Sequence, residues 1–487
     1  MFVIAAIVFP VAAGIILGLI KIDYRSLTRY SLFVTVIAAA LGVAGLINGG
    51  SVTLVNLGEN VSLTWTLDNL GRVFMAAVII LYTVVAFYAF EYMKKEERQN
   101  IFFAFYYVSL GAMIAVCCAG NLVTLYLCFE LATLTTVPLV LHEWSKEAIA
   151  AGLKYLFYSI GGALMGLFSV FFVYFYGAAG REFTLGGYLD ASKVAGHEGI
   201  LLAAVFVGIV GFGTKAGLYP MHGWLPSAHP IAPTPASVLL SGIIAKAGVI
   251  SIIRLVFYSV GADFIRGTWV QYAWMILAML TILMGSMMAF LEKNMKKRLA
   301  FSTISQISYA LMALSVLTDD SLRGALLQIL SHAASKGCLF MCAGVFLYML
   351  KRRYVKDLTG IGYLMPVTMW CFLIASLSLV GIPPMGGFIS KWVISAAIIE
   401  DGQGVFAYLP IVVLLISALL TTGYLLTIAM AAFFPGEEYA ASEAGQEDKR
   451  IGKAEPSPLM YIPMIVLCLM ALTVGVFGTD ILGALGF

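Results

Sequence analysis

Residues 236–258 read ASVLLSGIIAKAGVISIIRLVFY, an apolar run that carries one lysine, Lys246, near its middle. A helix needs about 20 apolar residues to cross a bilayer, so this run predicts a transmembrane helix. A charge at mid-bilayer costs at least about 2.5 kcal/mol, and an ionisable residue there is a functional hypothesis by default. The run therefore indicates both the fold class and the depth at which a site should lie.

The composition of the whole chain is also strongly apolar. Of its 487 residues, 61% are apolar and 11% are charged, whereas about 25% are charged in ordinary soluble domains. A soluble fold of this length would need more polar surface to cover its core, and a net charge of +3 is too small to imply a basic partner surface. A soluble enzyme, a disordered chain and a nucleic-acid binder are excluded. The composition predicts an all-α polytopic membrane protein.

Polar breaks divide the chain into about fourteen apolar runs that could each cross a membrane. The first run has no basic segment before it and no small-residue cleavage site, so we expect a retained helix rather than a signal peptide. The runs are 2–20, 27–48, 71–92, 100–119, 121–142, 150–176, 200–226, 236–258, 269–291, 298–317, 323–349, 366–399, 407–433 and 459–479.

The basic residues orient these runs. If the N-terminus lies outside, the cytoplasmic loops hold 19 of the 29 Lys and Arg residues and the opposite loops hold five. Because cytoplasmic loops carry the excess of Lys and Arg, this predicts a multi-pass protein of the cell inner (plasma) membrane with both termini outside the cytoplasm. Arg254 lies near the end of its run, and we expect its side chain to snorkel to the interface.

Two runs are broken by Gly and Pro, the seventh around residues 217–235 and the twelfth around residues 381–387. Unpaired backbone at membrane depth is tolerated only where it is buried in protein or lines a wet cavity. Lys215 precedes the first break and Lys391 follows the second. Broken helices in corresponding positions of two halves mark transport pathways. An odd number of crossings per unit then predicts two inverted five-helix repeats.

The sequence thus divides into five segments. Alternation in 52–54 and 61–65, around Gly58-Glu59-Asn60, predicts an external β-hairpin in the first. The segments are the N-terminal helices with this hairpin (1–99), the two repeats (100–258 and 269–433), a solvated cytoplasmic linker loop (434–458) and the C-terminal helix (459–487).

Six ionisable residues fall deep inside the predicted spans, and only one of them is a carboxylate. Static buried ion pairs are the alternative interpretation, but one carboxylate cannot neutralise four ammonium groups, so the lysines must be neutral or lie in water. A lysine close to neutrality can take up and release a proton. The set predicts a proton relay, which individual capping of its members by backbone oxygens would contradict. The residues are Glu130, Lys215, Lys246, His332, Lys336 and Lys391.

No other chemistry is visible in the sequence. It contains no P-loop, no dinucleotide motif and no cysteine cluster for iron–sulfur binding. The seven cysteines lie in apolar runs, where packing is the expected role. We predict no cofactor and no metal. His142, His222 and His229 lie at helix ends, where we expect interfacial placement, with proton uptake as the alternative.

Several motifs in order resemble the antiporter-like subunits, a family that includes the proton-pumping membrane subunits of respiratory complex I, the membrane-bound hydrogenases and the large subunits of Mrp cation/proton antiporters. The resemblance covers roughly residues 70–433. It implies fourteen helices, inverted repeats and ion translocation. The motifs are Phe129-Glu130-Leu131, residues 215–226, residues 229–235 with Lys246, residues 331–336 and residues 381–391.

The resemblance also implies roles. Glu130 and Lys215 resemble the ion pair that gates the channel, and Lys246 resembles the central relay lysine. His332 and Lys336 resemble the connecting relay. Lys391 resembles the terminal lysine from which the proton leaves outward.

Three functions follow from the resemblance. The first is a proton-translocating subunit of a redox-driven complex, hydrogenase-like or complex I-like, beside other antiporter-like and small membrane subunits and hydrophilic iron–sulfur subunits. The second is the large subunit of an Mrp-type Na+/H+ antiporter without redox partners, and the third is a stand-alone secondary transporter. Residues 221–226 and 235–242 resemble the hydrogenase branch more than Mrp. Only about eight residues follow the last run, so a mid-array subunit without a long lateral helix is expected.

Overall fold

The computed structural model describes residues 1–58, 61–178, 180–401 and 404–487. Over these residues the chain forms long helices and one small hairpin. The long helices and the strands are α1 (Phe2–Leu19), α2 (Tyr24–Asn48), β1 (Ser51–Gly58), β2 (Val61–Thr66), α3 (Asn69–Tyr92), α4 (Gln99–Cys117), α5 (Leu122–Val140), α6 (Lys146–Tyr176), α7 (Glu198–Ala216), α8 (Leu225–Ile231), α9 (Thr234–Val260), α10 (Trp269–Leu291), α11 (Met295–Leu314), α12 (Asp319–Leu350), α13 (Pro366–Val380), α14 (Gly386–Asp401), α15 (Leu409–Phe433) and α16 (Pro458–Ala484).

Short helical turns lie between these elements. They are Ala191–Val194, Ala262–Ile265, Ile361–Leu364, Gly436–Ala441 and Glu443–Ile451, with 3₁₀ turns at Met93–Lys95, Val355–Leu358 and Gly404–Ala407.

Among the described residues, 12 helices are long and apolar enough to cross a membrane. The two other predicted spans correspond to α11, whose first turn carries Lys296, Lys297 and Arg298, and to the interrupted pair α13 and α14. The chain is therefore a multi-pass, all-α membrane protein, as predicted. The count of fourteen crossings stays a prediction.

Helix α9 lies at the centre of the bundle, because its whole apolar window is buried by other helices. Two widened, π-helical turns interrupt it, at Leu240–Ile244 and Val256–Val260. Such turns occur frequently at functional sites. Lys246 directly follows the first of them and is therefore held in the middle of the protein.

The predicted breaks are confirmed. Helix α7 stops where Gly217 adopts a left-handed φ of +84°, and the chain resumes as α8 at Leu225. Helix α13 stops at Gly381, with φ +96°, and α14 begins at Gly386.

The second break is tightly packed against its neighbours. A Cβ on Gly387 would lie 1.7 Å from the Ser378 carbonyl oxygen, and a Cβ on Gly475 of α16 would lie 2.0 Å from the Pro384 carbonyl oxygen. Only glycine fits at these two positions, because real Cβ contacts this close do not occur.

The predicted hairpin is present, with β1 and β2 antiparallel and Val52 paired with Trp65. Its predicted turn residues Glu59 and Asn60 lie outside the described residues. Strand β2 clamps the loop between α4 and α5, since the Gly120 amide donates to the Thr64 carbonyl at 2.9 Å. The hairpin therefore fixes the start of α5.

The segment predicted as a linker, residues 434–458, contains two short helices. Asp448 forms an ion pair with Arg352, and the Tyr439 hydroxyl donates to the same carboxylate at 2.6 Å. Glu455 accepts a hydrogen bond from the Thr368 hydroxyl at 2.9 Å. These contacts dock the loop onto the ends of α12 and α13.

The expectation that Arg254 snorkels is wrong. Its side chain is 1% exposed and donates two hydrogen bonds of 2.6 Å to the Asp68 carboxylate, at the start of α3. The rings of Phe183 and Tyr258 flank its guanidinium at 4.7 and 4.8 Å. Burial is tolerated because the charge is paired and both terminal nitrogens donate inside the protein, while Nε has no partner among the described atoms.

The seven cysteines are free and buried. Cys338 of α12 lies 3.6 Å from Cys468 of α16, measured between sulfur atoms. Within the described ranges, no group of three or more His, Cys, Asp or Glu residues could hold a metal ion.

Candidate functional site

Lys246 contacts another of the six predicted residues. The widened turn before it exposes the Ser241 carbonyl, which accepts a hydrogen bond from the Lys246 ammonium. The same ammonium nitrogen lies 2.7 Å from Nδ1 of His332 on α12. The two residues are 86 positions apart in the sequence, and the fold brings them into direct contact at the centre of the bundle.

This contact fixes the charge of the pair. An ammonium group only donates, so Nδ1 must accept when Lys246 is charged, and the imidazole is then neutral. Two cations 2.7 Å apart in a buried site would repel strongly. The pair therefore holds one positive charge at most, and Nε2 of His332 has no hydrogen-bond partner among the described atoms.

Lys336 lies one helical turn beyond His332 and is fully buried. Its ammonium donates to the Leu299 carbonyl of α11 at 3.2 Å. This is capping by a backbone oxygen, the arrangement that contradicts the predicted relay at this residue. Ser335, next to it, donates to Ser378 at 2.8 Å, so the same face of α12 reaches the end of α13.

Glu130 and Lys215 are not in contact in this conformation. Both residues are described, and no ion pair within 4.0 Å joins them. The Lys215 ammonium instead donates to the Thr133 hydroxyl and lies 5.1 Å from the centre of the Phe129 ring and 5.4 Å from that of Tyr155. Thr133 is on the same helix as Glu130, one turn further, so a change of Lys215 rotamer can exchange one partner for the other.

Lys391 folds back onto the break. Its ammonium donates to the carbonyls of Leu379 and Val380 at 2.5 and 2.7 Å. These are terminal carbonyls of α13, where the helix dipole is negative and favours a cation. Lys391 is therefore also capped by backbone oxygens, and the break that the sequence indicated provides them.

Sequence reasoning missed the polar side chains between the charged ones. Gln328 of α12 donates to the Gln306 side chain at 3.2 Å, and Ser390 of α14 donates to Gln328 at 2.7 Å. Gln306 in turn donates to the Leu379 carbonyl at 3.3 Å. The same carbonyl accepts a hydrogen bond from Lys391. The positions Gln328, Ser331, His332 and Ser335 share one helical face, and that spacing was the available signal.

A polar cavity of about 290 Å³ opens at one face of the bundle. Loops 93–98, 292–298 and 351–356 form this surface, here called the basic face. Burial raises the pKa of Glu96, the neighbouring Glu143 raises it further, and Lys296 and Lys351 lower it. The charged lining residues are Lys95, Glu96, Glu143, Lys296, Lys351, Arg352 and Arg353.

His229 lies directly behind this cavity. Lys296 donates to the Ala232 carbonyl at 2.9 Å, and residues 230–232 line the cavity wall. His229 itself is fully buried and stacks on Phe340 with ring centres 4.7 Å apart. His229 is therefore enclosed by protein, and its interfacial depth stays a prediction. Neither ring nitrogen has a hydrogen-bond partner in the described part of the chain.

Long apolar helices, two interrupted helices and lysines buried at the breaks define a polytopic membrane protein of the antiporter-like class. Residues 119–430 match the family described as "NADH:quinone oxidoreductase/Mrp antiporter, TM", and residues 55–103 match "NADH-Ubiquinone oxidoreductase (complex I), chain 5 N-terminus". The chain belongs to this family of membrane subunits, which confirms the predicted resemblance.

Individual relatives also belong to membrane complexes of this kind. The chain is 30% identical over 400 residues to NADH-quinone oxidoreductase subunit N of Desulforudis audaxviator, covering 80% of this chain and 76% of the relative. It is 30% identical over 351 residues to hydrogenase-4 component B of Escherichia coli, covering 69% of this chain but 51% of that longer protein. Both relatives are named as parts of multisubunit complexes.

Two solved complexes contain chains of similar fold. One is an archaeal respiratory membrane complex, the membrane-bound sulfane sulfur reductase, with TM-score 0.83 and 18% identity. The other is the Mrp complex of a Dietzia species, with TM-score 0.81 and 20% identity. Each comparison covers 99% of this chain and 96% of the other.

Proposed function

We propose that the chain is a proton-translocating antiporter-like subunit of a redox-driven multisubunit membrane complex, hydrogenase-like or complex I-like. The observation that carries the proposal is the 2.7 Å contact between Lys246 and His332 on the central helix. A buried pair that can hold only one proton passes it on whenever a neighbouring charge changes.

The proposed route begins at the basic face. Glu96 and Glu143 collect protons at the cavity, and His229 behind it transfers them inward. The buried, unpartnered ring nitrogens of His229 support this role, since an unsatisfied buried polar group is costly unless it is used. Lys246 receives the proton, and His332 shares it.

Lys336 and Lys391 continue the route toward exit. Both are capped by backbone carbonyls, which contradicts a relay in the conformation described. The proposed relay therefore operates in a second conformation that frees both ammonium groups, and the conformation described is the closed one. Transfer requires each ammonium to leave its carbonyls, and the hydroxyl and amide groups of Ser378, Gln306 and Gln328 lie between the two lysines. Lys391 is the proposed last group before release.

The Glu130–Lys215 pair is the proposed gate. When Lys215 turns from Thr133 to Glu130, its positive charge is neutralised and its repulsion of a proton on Lys246 falls. When it returns to Thr133, the repulsion is restored and the proton moves on. The gate needs only a rotamer change, because Glu130 and Thr133 share one helix face.

A redox-driven complex is favoured over Mrp because two relatives at 30% identity are a complex I subunit and a hydrogenase component. We infer no redox chemistry for the chain itself, and hydrophilic iron–sulfur subunits would supply it. The second candidate, an Mrp-type Na+/H+ antiporter subunit, is supported by the fold likeness to the Mrp complex. Mass spectrometry of the purified native complex separates the two, since iron–sulfur subunits accompany only the first.

The basic face is the proposed cytoplasmic side of an inner membrane, with both termini outside. Fusion of alkaline phosphatase, active only outside the cytoplasm, to the C-terminus tests this. An active fusion is expected; an inactive phosphatase together with a fluorescent green fluorescent protein fusion would reverse the orientation.

The test of the mechanism is Lys246→Ala in the whole complex, reconstituted into vesicles with a pH-sensitive dye. Proton movement should fall to less than about one tenth, because the direct contact between Lys246 and His332 is lost. The matched control is Lys453→Ala, a change in the exposed loop. Wild-type pumping by the Lys246 variant, in a complex of normal subunit content, would refute the relay. Glu130→Gln should also reduce pumping and change its pH dependence.

A further inference from the structure

A seam of buried hydroxyl groups lies between α11 and α15, outside the relay described above. Ser302 and Tyr309 lie on one face of α11, and Ser417, Thr421 and Tyr424 lie on the facing side of α15. We call these five residues the hydroxyl seam. All are at most 1% exposed.

The seam hydroxyls bond to one another. Tyr309 donates to the Ser417 hydroxyl at 2.6 Å, and the Thr421 hydroxyl donates to the Ser417 backbone carbonyl at 2.7 Å. Tyr424 donates to Thr421 at 3.3 Å and exchanges a 2.6 Å bond with Ser302. The contacts form two groups, Tyr309–Ser417 and Thr421–Tyr424–Ser302, one helical turn apart on α15. Hydroxyls can donate and accept at once, so a turn of the Thr421 hydroxyl from the Ser417 carbonyl to the Ser417 hydroxyl joins the two groups into one chain.

One end of the seam meets the second broken helix. The Lys391 ammonium lies 5.4 Å from the centre of the Tyr309 ring. Lys391 has three freely rotating donors on a flexible stem. A rotamer change away from the α13 carbonyls brings the ammonium toward the Tyr309 hydroxyl.

The other end meets Arg298, one turn before Ser302 on α11. Arg298 lines a cavity of about 520 Å³ at the basic face, together with Lys293, Tyr354, Val355 and Lys356. Its guanidinium donates to the carbonyls of Glu292, Phe290 and Tyr424. A guanidinium stays protonated, and a fixed positive charge at a constriction excludes protons. Arg298 therefore closes the seam.

Helix packing alone does not account for the arrangement. Serine and threonine in helices usually bond back to a carbonyl of their own helix, as Ser376 does to Phe372 at 2.7 Å. In the seam, Thr421 also donates to the Ser417 carbonyl of its own helix at 2.7 Å. Tyr309, Ser417, Tyr424 and Ser302, however, bond side chain to side chain across two helices. The seam has a lysine at one end and a cavity at the other.

We propose that the hydroxyl seam is a second proton path, which connects Lys391 directly to the basic face and which Arg298 keeps closed in this conformation. Each hydroxyl oxygen accepts a proton from one neighbour and releases its own to the next, so no bond order or oxidation state changes. Lys391 gains or loses the proton at the inner end. The proposal rests on the proposed function, since it gives Lys391 a second source of protons beside the relay.

The test measures passive proton movement into vesicles that contain the whole complex, under an imposed potassium diffusion potential. Arg298→Ala should raise the leak about tenfold or more, and adding Tyr309→Phe should return it to the wild-type value, because the phenylalanine keeps the ring and removes the hydroxyl. Lys297→Ala, the neighbouring cation, is the matched control and should not leak. A leak that persists in the double variant, or no leak in a correctly assembled Arg298 variant, would overturn the proposal.

A second measurement covers the case in which the Arg298 variant does not assemble. Redox-driven or cation-driven pumping is compared for Thr421→Val, Tyr309→Phe and the control Ser376→Ala. A severalfold loss in the first two and none in the control is expected. Pumping that survives both changes but is lost in Lys246→Ala refutes the seam and leaves the relay intact. Pumping that survives all of them refutes the proposed function itself.

Discussion

The ion pair between Arg254 and Asp68 should have an asymmetric effect on stability when it is broken. Arg254 is 1% exposed, whereas Asp68 is 31% exposed. Asp68→Asn removes the charge but keeps an acceptor that can cap α3 at the Gly71 amide. The guanidinium is then left buried without a counter-charge, and breaking a buried pair in this way costs about 3–5 kcal/mol. Because water reaches the carboxylate side, we expect about 3 kcal/mol.

Arg254→Met should lower the free energy of unfolding by less than Asp68→Asn does. The remaining carboxylate can be hydrated, and the main losses are two cation–π contacts worth about 0.5–1 kcal/mol each. The double variant should resemble Arg254→Met alone, since no orphaned charge remains. Unfolding of the purified protein in detergent micelles, titrated with sodium dodecyl sulfate and followed by circular dichroism, gives the three free energies. Equal losses in the two single variants, or a double variant less stable than Asp68→Asn, would refute this reasoning.

Two further predictions concern the cavity and the break. Burial raises the pKa of Glu96, so the ionised carboxylate destabilises the folded state at a pH above that pKa. Glu96→Gln should therefore raise the melting temperature at pH 8 and leave it unchanged at pH 4. Differential scanning calorimetry at the two pH values measures this. Gly387→Ala would put a methyl group 1.7 Å from the Ser378 carbonyl oxygen. It should lower the free energy of unfolding by about 1–3 kcal/mol or more and abolish pumping. The control Gly161→Ala, whose methyl group would have nothing within 4 Å, should change neither stability nor pumping.

The sequence was sufficient to locate the deep charges but not their partners. A lysine inside an apolar run, such as Lys246, is visible because its cost in hydrocarbon is large and local. The partner of Arg254 is 186 positions away, and no local pattern connects the two. This is why the arginine was assigned to the interface.

Hydroxyl and amide groups were missed for a different reason. Serine and threonine are tolerated in any membrane helix and often serve packing alone, so Thr133 or Ser417 gives no signal until helix rotation is known. The breaks were predictable because Pro and Gly cluster there, whereas single prolines such as Pro10 and Pro463 lie inside unbroken helices. That the carbonyls at the second break would cap Lys391 depends on how the chain folds back, which only the tertiary structure supplies.

The close approach of Gly475 to the Pro384 carbonyl has a mechanical consequence. Helix α16 abuts the interruption between α13 and α14 without a side chain in between, so it acts as a rigid buttress. The segment between α13 and α14 cannot move toward α16. A movement of the break that frees Lys391 is therefore directed away from α16.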